Sequence, residues 1–424
     1  MAKVLLIGGD GGRSGVPRHL QHLLKGCDGL ARFVLLSERD RGGYAFLRRS
    51  DVRHITVNGL ATRSGPLRML RTARLLARLI RREDPRLVWV HARMAVLLVH
   101  LLAIAGVFCR PGPALAVTYH GLPFDPGHWR LAAAFALRLE RLSLRHGPAR
   151  CLIFLSATAR DDYLATVGPG TCARHRLVVL GNTSDIGPLP DPLPRDGTRR
   201  ILVTGRLARQ KNLERALRLF AALPGTYLMT FCGEGTDSYR FRRQARRILG
   251  AHALQRIDFA GAVDDLRPHL LMADCYLLTS RYEGQPIAAL EAFEAGLPMA
   301  LPDIPGCRQL LATHPEAAVL TPLASEDPVE DALRVVALAE AHGRDPVGCR
   351  ALCRSAWARH FDFADWSERM QDLLRSLLPE APAPFAACPV APPGPGKVVP
   401  EARQVLPFVP RKGPPPGARP RAGG

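Results

Sequence analysis

Two glutamates, Glu283 and Glu291, stand in the stretch SRYEGQPIAALEAFEAGLP (280–298) with seven residues between them. Gly284 and Pro286 lie inside that interval. Pro286 reads as the opening of a helix, where the missing N–H of proline costs nothing. The first-turn amides of Ile287 and Ala288 are then free to face an anion, with the positive end of the helix dipole behind them. Glu283 falls in the loop before the helix and Glu291 in its second turn, so both carboxylates can address one cleft. Carboxylates accept hydrogen bonds from sugar and ribose hydroxyls, and such a pair suits the two ends of a nucleotide sugar.

A second constellation is VTGRLARQKNLERAL (203–217), which sets Arg206 and Lys211 in a loop between an apolar strand and a helix. Arginine suits bidentate contact with phosphate oxygens and lysine supplies a point charge. A departing diphosphate gains negative charge, which such cations stabilise. A pair of solvated surface cations is the plainer alternative. The third is GGDGGRSGVPRHL (8–20), directly after the first apolar run. Its glycines let the backbone approach a phosphate, and Pro17 suits the first turn of a following helix. The glycine spacing does not fit the dinucleotide-binding fingerprint, and a sharp turn alone would explain the glycines.

The elements that must position these residues read as strands and helices in alternation. Short apolar runs at 3–9, 33–37, 87–91, 115–119 and 151–155 are separated by helix-length amphipathic segments. Near-continuous apolar strands of this kind indicate a parallel sheet covered on both faces. The proline-dense stretch 187–198 is too polar for an element and reads as a hinge. Alternation then restarts at 200–204, 227–232, 256–260, 275–279 and 298–301. An α/β chain of two doubly wound units follows, with a first domain at 1–187 and a second at 199–357. A closing amphipathic helix falls within 358–378, and a Pro-rich basic tail at 379–424 is expected to be disordered. Ligands in such sheets sit beyond the carboxyl ends of the strands, hence between the two units.

Composition sets wider bounds. With 424 residues, 47% hydrophobic and 23% charged, the chain is folded and exceeds one ordinary core. Net charge of +20 favours anionic partners, although arginine-rich coding bias would give the same surplus. Ten cysteines show no paired metal spacing, the nearest pair being Cys349 and Cys353, so reduced, mostly buried thiols and no metal are expected. The start, MAKVLLIGG, reads as a first strand rather than a secretory signal, which points to a cytoplasmic site. The run Met94 to Cys109 is shorter than the roughly 20 residues a spanning helix needs. Residues 67–82 put Met69, Ala73, Leu76, Ala77 and Ile80 on one helical face and Arg71, Arg74, Arg78, Arg81 and Arg82 on another. That is an ordinary surface helix over a sheet or one that docks on anionic lipid at the inner membrane face.

Taken together, these motifs resemble glycosyltransferase family 4, over roughly residues 1–378. The E-x7-E segment is the most specific part, and GRL-x3-KN (205–212) matches the family's diphosphate-binding loop. CGEG (232–235) and DFAGAVDD (258–265) match its successive glycine turns. VTYHG (117–121) falls where the family places an active-site histidine, which makes His120 the candidate; His91 occupies another recurrent position. GNTSD (181–185), with Asn182 and Asp185, resembles an asparagine-containing segment before the domain crossover. Gln285 stands where a small or apolar residue is commoner.

The resemblance implies the GT-B fold, two facing Rossmann-like domains with an interdomain cleft. It also implies transfer with retention, without a metal or other cofactor, from a UDP- or GDP-type nucleotide sugar to a glycan, lipid-linked or other acceptor. Glu283 would hold the donor sugar hydroxyls and Glu291 the ribose. Arg206 and Lys211 would neutralise the diphosphate, with Gly15 and the Ile287 and Ala288 amides in support. His120 would contact the sugar or its phosphate. No Asp-x-Asp pair is present, in keeping with a metal-free clamp. Two other readings of the same fold are a catalytically silent sugar-nucleotide-binding protein and a sugar-nucleotide epimerase; nucleic acid is not an expected partner.

Overall fold

The computed structural model describes residues 1–61, 65–108, 112–122, 124, 130–192, 197–313, 319–323 and 327–378. Among the described residues, thirteen strands sort into two parallel sheets. The first contains β1 (Lys3–Ile7), β2 (Arg32–Ser37), β3 (Arg53–Thr56), β4 (Leu87–Val90), β5 (Ala114–Tyr119), β6 (Cys151–Phe154) and β7 (Arg176–Val179) in the order β3-β2-β1-β4-β5-β6-β7. The second contains β8 (Arg199–Thr204), β9 (Tyr227–Cys232), β10 (Ile257–Gly261), β11 (Cys275–Leu277), β12 (Met299–Pro302) and β13 (Leu320–Leu323) in the order β10-β9-β8-β11-β12-β13. Chain order reverses between β1 and β4 and again between β8 and β11, so each sheet has its own switch point. This is the expected pair of doubly wound units in a GT-B arrangement.

Alternation along each strand feeds two cores per sheet. In β1, Leu5 and Ile7 join the cluster under helices Pro66–Glu83 and Arg93–Ile104, while Val4 and Leu6 join the one under helix Gly15–Gly26. A strand buried on both faces has no polar side to show, which explains the unbroken apolar runs. In the second lobe, Ile201 and Val203 of β8 pack with helices Leu213–Ala221 and Pro328–Arg344, and Leu202 packs with helices Ile287–Glu294 and Pro346–Phe361.

The chain passes between lobes twice. After β7 it runs without regular structure, and the amides of Ile186 and Gly187 donate to Glu294 of the second lobe at 2.9 and 3.1 Å. The return lies at Asp362, whose carboxylate caps helix Phe363–Leu377 by accepting from the Ala364 and Asp365 amides. That helix lays Trp366, Met370, Leu373, Leu374 and Leu377 into the first lobe's core, beside helix Gly15–Gly26. Trp366 Nε1 donates to Gly181 O at 2.7 Å and Gln371 Nε2 to Gly26 O at 2.8 Å, tying the return to the outward crossing.

Within helix Pro66–Glu83, Ala73, Leu76, Ala77 and Ile80 are buried and the five arginines expected on the opposite face are exposed. Leu67 and Leu70 are exposed beside them. No described helix is long and apolar enough to cross a membrane. Cys27, Cys151, Cys172, Cys232, Cys275, Cys307, Cys349 and Cys353 are buried and free. The tail at 379–424, residues 193–196 of the proline-dense segment, and Cys109 lie outside the described residues.

Candidate active site

The carboxyl ends of β1, β4, β5, β8 and β9, together with the loop after β11, meet around a cleft of about 860 Å³ between the lobes. That is within the size range of small-molecule sites. Gly15, His120, Arg206, Lys211, Glu283, Ile287, Ala288 and Glu291 all line it. Asp185 does not; it pairs with Lys25.

Lys211 and Glu283 form the tightest pair on the second-lobe wall. Lys211 Nζ lies 2.6 Å from Glu283 Oε1, and both side chains are largely buried. Gln210 Nε2 donates to Tyr282 O at 3.0 Å and approaches Glu283 Oε2 at 3.4 Å. Glu283 is thereby fixed on both oxygens while its loop faces the cleft. Arg206 is freer, touching Asp10 of the first lobe at 3.5 Å through Nη1.

Two glycines make these approaches possible. Gly233, at the end of β9, has φ of +148°, and a Cβ there would strike Gly205 O. Gly284 leaves room for His120 O, so the glutamate loop rests directly on the end of β5. A side chain at Gly284 would push Glu283 away from the histidine. Nothing in the spacing of Gly284 marks its contact with the other lobe, which only folding creates.

Helix Ile287–Glu294 starts after Pro286, and its amides of Ala289 and Leu290 donate back to Pro286 O at 3.1 and 3.2 Å. The Ile287 and Ala288 amides precede the first intrahelical bonds and point their dipole end at the cleft. Glu291 is buried and held from the opposite lobe: Arg18 Nε and Nη2 lie 2.7 and 2.6 Å from its Oε1. Arg13 forms a second bridge between lobes, to Asp264. Neither arginine was singled out from sequence; each is one of many arginines with no spacing to mark it.

His120 is half-buried at the end of β5, with its Nε2 inaccessible. His91, at the end of β4, and His19, in helix Gly15–Gly26, pack beside it, with the His19 and His120 rings 4.6 Å apart. Burial pushes all three imidazoles down, His19 to about 4, so they are neutral at neutral pH. Asn182 Oδ1 accepts from His19 Nδ1 at 2.9 Å, and Asn182 Nδ2 donates to Gln285 O at 2.8 Å. The Gln285 side chain in turn accepts from the Asn182 amide. The unusual glutamine thus joins the glutamate loop to the lobe crossover.

This wall of cations, amides and carboxylates offers partners to both negative charge and hydroxyls. The same residues fall inside two family models: a "glycosyl transferase 4-like domain" matches residues 14–183, and "glycosyl transferases group 1" matches residues 190–341. The chain belongs to glycosyltransferase family 4. This transferase is 30% identical over 223 residues to glycogen synthase of Mycobacterium tuberculosis. The match covers 51% of this chain and 50% of the relative, so the chain spans about half the length of the curated relatives it matches. In fold it is similar to HepE from Anabaena, solved in complex with UDP and glucose, with a TM-score of 0.69 and 15% identity over 89% of this chain and 100% of that one. It is also similar to sucrose-phosphate synthase from Thermosynechococcus elongatus, with a TM-score of 0.68 and 16% identity over 89% and 99% of the two chains. At that identity the likeness shows the transferase's fold alone.

Proposed function

We propose that this glycosyltransferase takes its sugar from a nucleotide diphosphate donor seated in the interlobe cleft and transfers it with retention of configuration. One observation carries the reading: Arg206, Lys211, Glu283, Glu291 and the Ile287–Ala288 helix start line a single cleft. Five side-chain and backbone features, drawn from two loops and the helix after the second, converge on a space the size of such a donor. The solved complexes of HepE with UDP and with UDP-glucose support the donor class for a neighbour of the same fold.

In this reading Arg206 and Lys211 bind the two phosphates, and the helix dipole and the Gly15 backbone add to that field. Glu283, steadied by Lys211 and Gln210, accepts from donor sugar hydroxyls. Glu291 keeps one oxygen on Arg18 and offers the other to the ribose. His120, neutral, donates or accepts at the sugar or its phosphate. As the C1–phosphate bond breaks, the acceptor oxygen attacks from the same side and its proton passes to the leaving phosphate oxygen. The cations stabilise the charge that develops, so the chemistry requires no metal.

The first-lobe wall, with Phe46, Val96 and Leu122 alongside Arg13 and Arg93, is the acceptor side. Apolar and basic groups together suit a glycan or a lipid-linked acceptor with an anionic head. Exposed Leu67 and Leu70 beside the arginine face of helix Pro66–Glu83 support contact with anionic lipid, which would bring such an acceptor to the cleft. Incubation with a panel of radiolabelled UDP- and GDP-sugars tests the reading. Release of nucleotide diphosphate from one of them, undiminished by chelator, is expected; release from none, with folded protein, contradicts it.

A further inference from the structure

The three cleft-floor histidines do more than the donor reading asks of them. His19, His91 and His120 come from three separate elements, and one ring nitrogen of each lies within 4.8 Å of the other two. His19 and His91 are 2% and 1% exposed. Among the described residues, His19 Nε2, His120 Nε2 and both nitrogens of His91 are buried without a hydrogen-bond partner. Buried polar atoms in folded proteins are nearly always partnered, so unpartnered nitrogens on three clustered rings call for a common occupant.

The surrounding groups favour a metal ion over mere packing. Asn182 Nδ2 is committed to Gln285 O, so its Oδ1 faces His19 Nδ1 and accepts that N–H at 2.9 Å. The His19 tautomer is thereby set, and its Nε2 carries the lone pair. This is the outer-shell bond that orients metal-ligating histidines. Trp89 stacks on His91 at 5.4 Å and Trp366 meets His19 edge-on at 6.0 Å, so aromatic walls hold both rings. The backbones are anchored too: the His91 amide donates to Ile7 O at 2.9 Å. All three imidazoles are neutral at neutral pH, the form that binds metals.

We propose that His19, His91 and His120 form a site for a borderline divalent cation of the zinc class, and that its occupation withdraws His120 from the donor. Tetrahedral coordination at about 2.0–2.1 Å needs ligand nitrogens roughly 3.4 Å apart. Ring rotations that bring each nitrogen inward by about 1 Å achieve this, and half-buried His120 has the room to move. His91 and His120 both line the cleft, which leaves the fourth position open to water or to a ligand phosphate. Cation binding is independent of the donor reading; the loss of transfer rests on it.

Cobalt(II) is the probe, titrated into the full chain after chelator treatment, with equilibrium dialysis and visible absorption as readouts. One equivalent with the intense bands of a four-coordinate site is expected. His91→Ala and His19→Ala are expected to abolish those bands, Asn182→Ala to weaken binding by about 10–100-fold, and exposed His252→Ala to change nothing. If wild-type chain takes up no stoichiometric cobalt, or only His252→Ala lowers uptake, the site is overturned whether or not the other variants fold. Zinc at one equivalent is expected to suppress transfer and chelator to restore it. Cobalt binding with an unchanged rate in zinc overturns the coupling to His120, and a chelated enzyme that never transfers overturns the donor reading but not the site.

Discussion

Arg18 reaches from the first lobe to Glu291 in the second, its Nε 2.7 Å from Oε1. The pair does two things at once. It bridges the cleft, and it fixes the carboxylate that would accept from ribose while leaving the second oxygen available. A hydrogen bond to a charged group contributes about 1.5–3 kcal/mol, so Glu291→Ala is expected to raise the donor KM by roughly 10–150-fold. Arg18→Ala should do so less. Because Glu291 is buried, removal of Arg18 should also lower stability by leaving the carboxylate without its cation. Steady-state kinetics with varied donor check both, and an unchanged KM for Glu291→Ala would remove the ribose role.

Lys211 and Glu283 should behave differently. Their bond is short and largely buried, and the proposed partners are the diphosphate and the reacting sugar. Removing one preorganised charge donor from a transition state costs about 10²–10³ in kcat. Lys211→Ala and Glu283→Gln are each expected to fall by that much in kcat with KM less affected. The double variant should lose less than the two single losses combined, since each partner holds the other in place. Additive losses would mean that the ion pair plays no part.

Gly284→Ala isolates the contact between loops. The added methyl would meet His120 O, which moves either the glutamate loop or the end of β5. Overpacking of this sort costs about 1–3 kcal/mol. Activity is expected to drop at least as far as for Glu283→Gln, with the melting temperature lowered by a few degrees. Wild-type turnover in this variant would show that Glu283 and His120 need not be held together.

How legible was all this in the residues? Among the described strands ten lie on apolar runs, most because they are covered on both faces, while the edge strand β10 keeps Asp258 exposed between its apolar residues. The three that do not, β3, β7 and β13, are all sheet edges. RHIT and RLVV show half-exposed patterns, and LTPL carries Pro322, which an edge strand tolerates because one side of its backbone has no ladder to complete. The second-lobe site was readable because its cations, glycines and glutamates lie within short loops of fixed spacing. Arg18, Arg13 and His19 were not, since their partners lie on distant segments and only folding joins them. Gln285 was visible as an oddity, but its bonds to Asn182 were not.

Acid sensitivity follows from the buried groups. Burial holds His19 and His175 down at about 4 and His22 at about 3, against an ordinary 6.5. The unfolded chain takes up those protons below about pH 6.5 while the folded chain refuses them, so stability falls as pH drops from 6.5 toward 4. At 1.36 kcal/mol per unit, His19 alone accounts for about 3 kcal/mol. Burial would raise Glu140, but the His100 charge and hydrogen bonds from His100, Tyr119 and Tyr163 bring it down to about 2. Its stabilisation is complete above pH 4.5 and is lost between 4.5 and 2. Melting temperature measured across pH should therefore decline steadily below 6.5 and steepen below 4.5. Glu140→Ala should destabilise at neutral pH by stranding its buried partners His100, Tyr119 and Tyr163, at about 1–3 kcal/mol for each group left unpaired. A melting temperature flat from pH 7 to 4.5 would mean the histidines are not buried as described.

Calorimetric titration of UDP and GDP into the wild-type chain and into the Arg206→Ala, Lys211→Ala double variant probes the diphosphate clamp itself. One of the two nucleotides should bind wild type at a single site and lose at least tenfold in affinity in the variant, with a weaker salt dependence. Equal affinity for both proteins would place the phosphates elsewhere and contradict the clamp.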